Sequence, residues 1–189
     1  MQDMGKPARQ TAPRPVRALF RPWLWPVRLL EGRTGQVPPG LWLINGFCQR
    51  VLGVNGHVPW MVHFTSRVIG EVTIGRRVWV SFAVSGGCYI QGSNGIEIED
   101  DTVFAPGVKI ISANHDRSNL AKLLPGAPIH VGQRCWIGAN AVILPGVQLG
   151  DDVVVGAGAV VTKSFPSHSV LVGVPARLIR QEPAPSFPG

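Results

Sequence analysis

The large aliphatic residues of this chain fall on every sixth position. From Val131 the sequence reads VGQRCW, IGANAV, ILPGVQ, LGDDVV, VGAGAV and VTKSFP, with Val, Ile, Ile, Leu, Val and Val in first place and Cys, Ala, Val, Val, Ala and Phe in fifth. The same frame runs upstream as VHFTSR from Val62, then VIGEVT, IGRRVW and VSFAVS, and it returns from Ile98 as IEDDTV, FAPGVK and IISANH. A helix repeats every 3.6 residues and a half-buried strand every two, so a period of six is neither. It predicts a short strand and a bend in each hexad, with three bends closing a coil whose first-position residues point inward and stack on the next coil. The small fifth residue fits the crowded corner. Between Gly86 and Glu97 the frame is inverted, with Gly86 and Gly92 in the large place and Ile90 and Ile96 in the small one, which predicts a distorted coil. The alternative is a β-sandwich, but sandwich strands and turns vary in length.

The frame gives three coils over 62–115 and two after Val131. Between them Asp116 to His130 stand out of frame as a protruding loop, and a long excursion inside a compact repeat is usually functional. Ahead of the coils, 38–54 predicts an amphipathic helix carrying Leu41, Leu43, Ile44, Phe47, Val51 and Leu52, entered through proline and left near Gly53. Its expected role is to cap the open end of the coil. The organisation is then a basic, Pro-rich and partly disordered leader over 1–37, a helical cap and linker over 38–61, the coil domain over 62–180 with its loop at 116–130, and a disordered tail over 181–189.

Composition alters this picture little. The 23 Gly and 17 Pro suit a fold of many turns, and three cysteines in separate segments suit a reducing compartment rather than a disulfide framework or a metal site. Charge adds more. Residues 1–34 carry seven Lys and Arg against Asp3 and Glu31, a local balance of +5 within a net +7. The leader is either solvated or, because Trp23, Leu24 and Trp25 sit among its arginines, a contact for an anionic membrane surface. No nucleic-acid reading module follows it. Its apolar run is broken by Pro22, Pro26 and Arg28, too short to span a bilayer or act as a signal peptide. The expected location is cytoplasmic, or peripheral at the inner face of the membrane.

The runs APGVKIISANHD and WIGANAVILPGVQLGDDVVVGAGAVVTK, with the ending VPARLIR, resemble the hexapeptide-repeat acyltransferases over about Val62 to Arg180. The match is to their maltose, galactoside and nodulation-factor O-acetyltransferase group. The resemblance implies an all-β fold, a left-handed parallel β-helix of about five triangular coils, assembled as a homotrimer with active sites between subunits. It implies an acetyl-CoA-dependent O-acetyltransferase with direct transfer in a ternary complex and no metal.

His115 closes its hexad at the mouth of the loop, and alternation from an inward Asn114 sends it outward. The resemblance makes it the general base, and imidazole suits that task. By the same resemblance the coenzyme meets Ala139, Ala157, Thr162 and Lys163, with Arg177 and Arg180 toward its phosphates. Trp136 is outward, against a neighbouring subunit or the loop. Cys135 is inward and belongs to the core rather than to an acyl-cysteine. Acceptor contacts fall on Ser85 and Ser93, where small-galactoside members place Asn and Asp, and on Asp116, which either binds acceptor, orients His115 or is a solvated loop residue. Galactoside specificity is therefore not carried over. The opening GLWLINGFCQRVLGVNGHVPWMVHFTSRVIG resembles acetyltransferases of surface-polysaccharide assembly, so the expected acceptor is a sugar or glycan precursor. N-acetylation of an amino sugar or a xenobiotic stays open. A γ-type carbonic anhydrase needs three histidines around a metal, and Leu120 stands where a partner His would follow His115. A catalytically silent scaffold is the remaining alternative.

Overall fold

In the computed structural model, which describes residues 10–11 and 36–181, the six-residue frame folds into stacked coils of three strands each. β7 (Trp136–Ile137), β8 (Val142–Ile143) and β9 (Gln148–Leu149) make one coil, and β10 (Val154–Val155) and β11 (Val160–Val161) continue into the next. Val154 lies beside Trp136 and Val160 beside Val142, both in parallel register, so a coil consumes 18 residues, or three hexads. Three faces result. The first stacks β4 (Val103–Phe104), β7, β10 and β12 (Ser169–Val172). The second stacks the opening halves of β2 (Arg67–Ile74) and β3 (Tyr89–Ile98), then β5 (Lys109–Ile111), β8 and β11. The third stacks the closing halves of β2 and β3, then β6 (Ile129–Val131), β9 and a bridge to Phe165. The core is the inward column of each face. On the second these residues are Val68, Ile90, Ile110, Ile143 and Val161, all buried, each stabilising the fold by about 1.5–3 kcal/mol.

The inverted stretch does form a coil. β3 turns its corner between Gly92 and Gly95, with Ile90 and Ile96 buried on either side. Gly92 passes so close to the Glu71 carbonyl that a side chain has no room.

Three expectations fail. The hexads IGRRVW and VSFAVS contain a helix, α2 (Val78–Val84), in place of the first face of the first coil. Val78, Ser81 and Phe82 are buried at helical spacing, and Phe82 packs on Trp60 and edge-on against Phe104. The alternative period wins because the end coil has no neighbour above it, and a bulky helix covers the end. The amphipathic helix is present as α1 (Pro39–Arg50), shorter than the pattern indicates. Its apolar side does not cap the coil. Asn45 and Gln49 face inward instead: Asn45 donates to the Ala83 carbonyl and accepts from Phe64 N–H, and Gln49 bonds Asn55, Val58, Trp60 and Val62. Hydrogen bonds to otherwise unpaired backbone outweigh apolar burial at this contact. The leader and tail lie outside the described residues, apart from β1 (Gln10–Thr11), which pairs antiparallel with β2, and the last residue of β13 (Arg177–Gln181), which pairs antiparallel with β12.

The edge between the third and first faces carries a ladder of charge. Arg77, Asp101, Arg134, Asp152 and His168 take left-handed φ in successive coils. Arg134 donates from Nε and Nη2 to the two carboxylate oxygens of Asp152 at 2.8 and 2.7 Å, and His168 Nδ1 lies 3.6 Å from the same carboxylate. The Arg134 hydrogen bond holds the Asp152 carboxyl below the usual carboxylate range, with the charges of Arg134 and His168 adding to it. A carboxyl depressed in the folded state stabilises above its unfolded pKa and loses that contribution as pH falls. Asp152→Asn keeps a residue tolerant of left-handed φ. Its melting temperature is expected to fall less than that of the parent between neutral pH and about pH 3; parallel scanning calorimetry checks this, and equal falls would show the ladder to be energetically silent.

Candidate functional site

The loop leaves the coil at the edge between the second and third faces, replacing the bend that Gly146 makes one coil later. Its exit is held firmly. Gln91 Oε1 accepts from Ser112 and Ala113 N–H, Leu124 N–H donates to the Asn114 carbonyl, and Leu123 bridges His115 in antiparallel register. Asn114 is exposed rather than inward, because the chain has already left its frame there to form this ladder. His115 is exposed too. Its Nδ1 lies 2.6 Å from the Leu120 carbonyl at the loop tip. A carbonyl only accepts, so Nδ1 carries the ring hydrogen and Nε2 keeps a lone pair for a ligand.

Asp116 does not orient that ring. Its Oδ1 accepts from both the N–H and the hydroxyl of Ser118, which lowers its pKa and shapes the loop. Sequence reasoning missed the residue that ties the loop down. Asn94 Nδ2 donates to the Ser112 and Leu124 carbonyls at 3.0 Å each, and Asn94 N–H donates to Ser112 Oγ. A six-residue frame gives no sign of it, since the partners are backbone carbonyls 18 and 30 residues away. Ser93, next to it, is exposed beside this junction. Ser85 is buried and donates its hydroxyl to the Phe104 carbonyl inside the coil, so it has none to offer an acceptor.

The coenzyme candidates divide between two edges. Ala139 and Ala157 stack one above the other at the corner joining the first and second faces, where Gly158 N–H donates to the Ala139 carbonyl at 2.8 Å. Among the described residues no acceptor meets the N–H of Ala139 or Ala157. Thr162 and Lys163 are exposed on the His115 edge, two coils beyond it, with Lys163 Nζ over the Phe165 ring. Arg177 and Arg180 are exposed on β13. One chain therefore does not gather His115, Ala139 and Ala157 at one edge. Burial pushes the Cys135 thiol up to about 11, leaving it protonated near neutrality and unsuited to attack. Among the described residues no cluster of His, Cys, Asp and Glu is placed to hold a metal ion.

A family model described as the hexapeptide repeat of succinyl-transferase matches residues 128–163. Galactoside O-acetyltransferase of Escherichia coli K12 is 35% identical over 133 residues, covering 69% of this chain and 63% of that relative. WbbJ of the same organism, named for O-acetyl transfer in lipopolysaccharide biosynthesis, is 34% identical over 105 residues, 49% of this chain and 54% of its own. Among solved structures, the hexapeptide-repeat acetyltransferase of Vibrio cholerae O1 biovar eltor, complexed with acetyl coenzyme A, superposes with a TM-score of 0.50 at 28% identity, covering 64% of this chain and 63% of that one. The chain thus spans less than two thirds of each of these relatives.

Proposed function

We propose that this chain, which belongs to the hexapeptide-repeat acyltransferase family, is an acetyl-CoA-dependent O-acetyltransferase acting on a hydroxyl of a sugar or surface-polysaccharide precursor. The observation that carries the proposal is the His115 ring: exposed at the mouth of the loop, fixed through Nδ1, with Nε2 free. Nε2 takes the proton of the acceptor hydroxyl as its oxygen attacks the thioester carbonyl. The oxyanion so formed is stabilised by a backbone N–H. The tetrahedral adduct then expels the coenzyme thiolate, which recovers the proton from His115. Ser93 and Asp116 stand beside the acceptor, Thr162 and Lys163 along the coenzyme's path, and Arg177 and Arg180 near its phosphates, where guanidinium suits phosphate oxygens.

The division of site residues between edges supports assembly of left-handed prisms as a homotrimer. His115 of one subunit then meets Ala139 and Ala157 of its neighbour across a shared cleft. The first face supplies an apolar contact, since Val103, Trp136, Val154 and Val170 lie in one register row, with Trp136 and Val103 exposed.

The test is acetyl-CoA consumption against a panel of sugars, amino sugars and glycan intermediates, with the products analysed for ester or amide. Ester formation on a sugar supports the reading. Amide formation alone would replace it with N-acetyl transfer, and no consumption with any acceptor would sink it.

A further inference from the structure

The outward face of α1 has no counterpart on the coil. Leu43, Phe47 and Val51 are 65%, 53% and 68% exposed, with Ile44 and Leu52 exposed beside them, while Asn45 on the opposite side is 0% exposed. Leu43, Ile44, Phe47 and the C-cap residue Val51 fall at i, i+1, i+4 and i+8, a single stripe about 100° wide at 3.6 residues per turn, and Leu52 follows just past the helix end. Two amide side chains attach the helix to the coil, and its hydrophobic side is left facing solvent. Contiguous apolar surface of this kind marks an interaction site.

Charge indicates what covers it. Residues 1–70 hold nine of the 18 Lys and Arg and only two of the 11 Asp and Glu, so they carry the whole net +7 while the remainder is neutral. From Gly32 to Gly70 there is no acidic residue at all, and Arg33, Arg50 and Arg67 flank the helix in sequence. The segment before it combines Trp23, Leu24 and Trp25 with Arg21 and Arg28, the pairing of aromatic and cationic residues that suits a headgroup layer. A second copy brought onto the stripe would set these cations against themselves. An anionic surface with an apolar interior matches both properties. Among the described residues no helix is long and apolar enough to cross a membrane, so the geometry is that of a helix lying in the interface.

We propose that the exposed face of α1 is a docking surface for an anionic phospholipid bilayer. The inference does not depend on the transferase reading. Burying the stripe to the acyl boundary removes apolar area from water, and the cations that the sequence carries ahead of the helix add salt-dependent attraction to an anionic surface.

The full-length chain is tested by co-sedimentation with phosphatidylcholine vesicles, with and without phosphatidylglycerol. The parent is expected to pellet with the phosphatidylglycerol vesicles, less so at high salt. L43S/F47S is expected to lose at least about tenfold in vesicle affinity, and R14Q/R17Q/R21Q/R28Q, which leaves α1 untouched, to lose both affinity and salt dependence. Size-exclusion chromatography and circular dichroism of both variants are expected to match the parent. No pelleting by the parent, equal pelleting with both vesicle types, or L43S/F47S changing the oligomeric mass while binding vesicles as before would each overturn the proposal. The last would assign the stripe to contact between copies.

Discussion

Replacing His115 with Ala is expected to lower the turnover number by about 10²–10⁴-fold, the range a positioned general base contributes, while the coenzyme's dissociation constant moves by no more than about twofold. The two readouts separate because the ring is held by the loop through Leu120, whereas the coenzyme's proposed contacts at Ala139 and Ala157 are backbone groups that the substitution leaves untouched. On the proposed mechanism, losing the imidazole removes the proton acceptor and leaves the thioester's binding surface in place. Asn94→Ala provides the graded comparison. It leaves His115 present but frees the Ser112 and Leu124 carbonyls that fix the loop exit, so turnover is expected to drop about tenfold, in the range that misplaced geometry costs. Steady-state kinetics with calorimetric titration of the coenzyme distinguishes these cases. Undiminished turnover in His115→Ala would move the base elsewhere, and equal losses in both variants would make the loop, rather than the imidazole, the seat of the effect.

The coil was readable because a period of six leaves its mark on every hexad: Ile137, Ile143, Leu149, Val155 and Val161 are all buried where the frame puts them inward. The failures occur where a coil lacks a neighbour. Val80 holds the first place of its hexad, yet Val78 and Phe82 are the buried residues, because α2 follows helical spacing at the uncovered end. Helical patterning ahead of the coils ranks residues by hydrophobicity, so the stripe of α1 reads as a buried face. What attaches that helix is the hydrogen-bonding capacity of Asn45 and Gln49, which hydrophobic periodicity does not register. The geometry of the candidate site is legible in the same uneven way. The loop and His115 follow from the break in the frame, whereas Asn94 acts through backbone carbonyls and leaves no pattern. Ser85 matches an acceptor position only through the family resemblance, which does not register that its hydroxyl turns inward to Phe104.

Two glycines near one corner are expected to answer a side chain differently. Gly138 is buried beneath the Ala139–Ala157 stack, and a Cβ on it would stand 2.6 Å from Ala157 N and 2.8 Å from the Val155 carbonyl oxygen. Both are backbone atoms of the next coil and have no rotamer to escape into, so the coils must separate. Separation strains the bonds from Gly138 N–H to Val155 at 2.7 Å and from Gly158 N–H to Ala139 at 2.8 Å. Overpacking of this kind costs about 1–3 kcal/mol, which for a chain of this size lowers the melting temperature by about 2–12 °C. The N–H groups of Ala139 and Ala157 shift with the separation, so coenzyme affinity is expected to fall about tenfold or more while the acceptor's KM changes little. Gly158 has left-handed φ but open space around its Cα. Asn140 fills the same corner one coil earlier at φ 57, so Gly158→Asn is expected to cost less than about 1 kcal/mol. Thermal melting and coenzyme titration of Gly138→Ala beside Gly158→Asn check both halves. If Gly138→Ala melts low but binds coenzyme as the parent does, the corner holds the coils together and the coenzyme lies elsewhere.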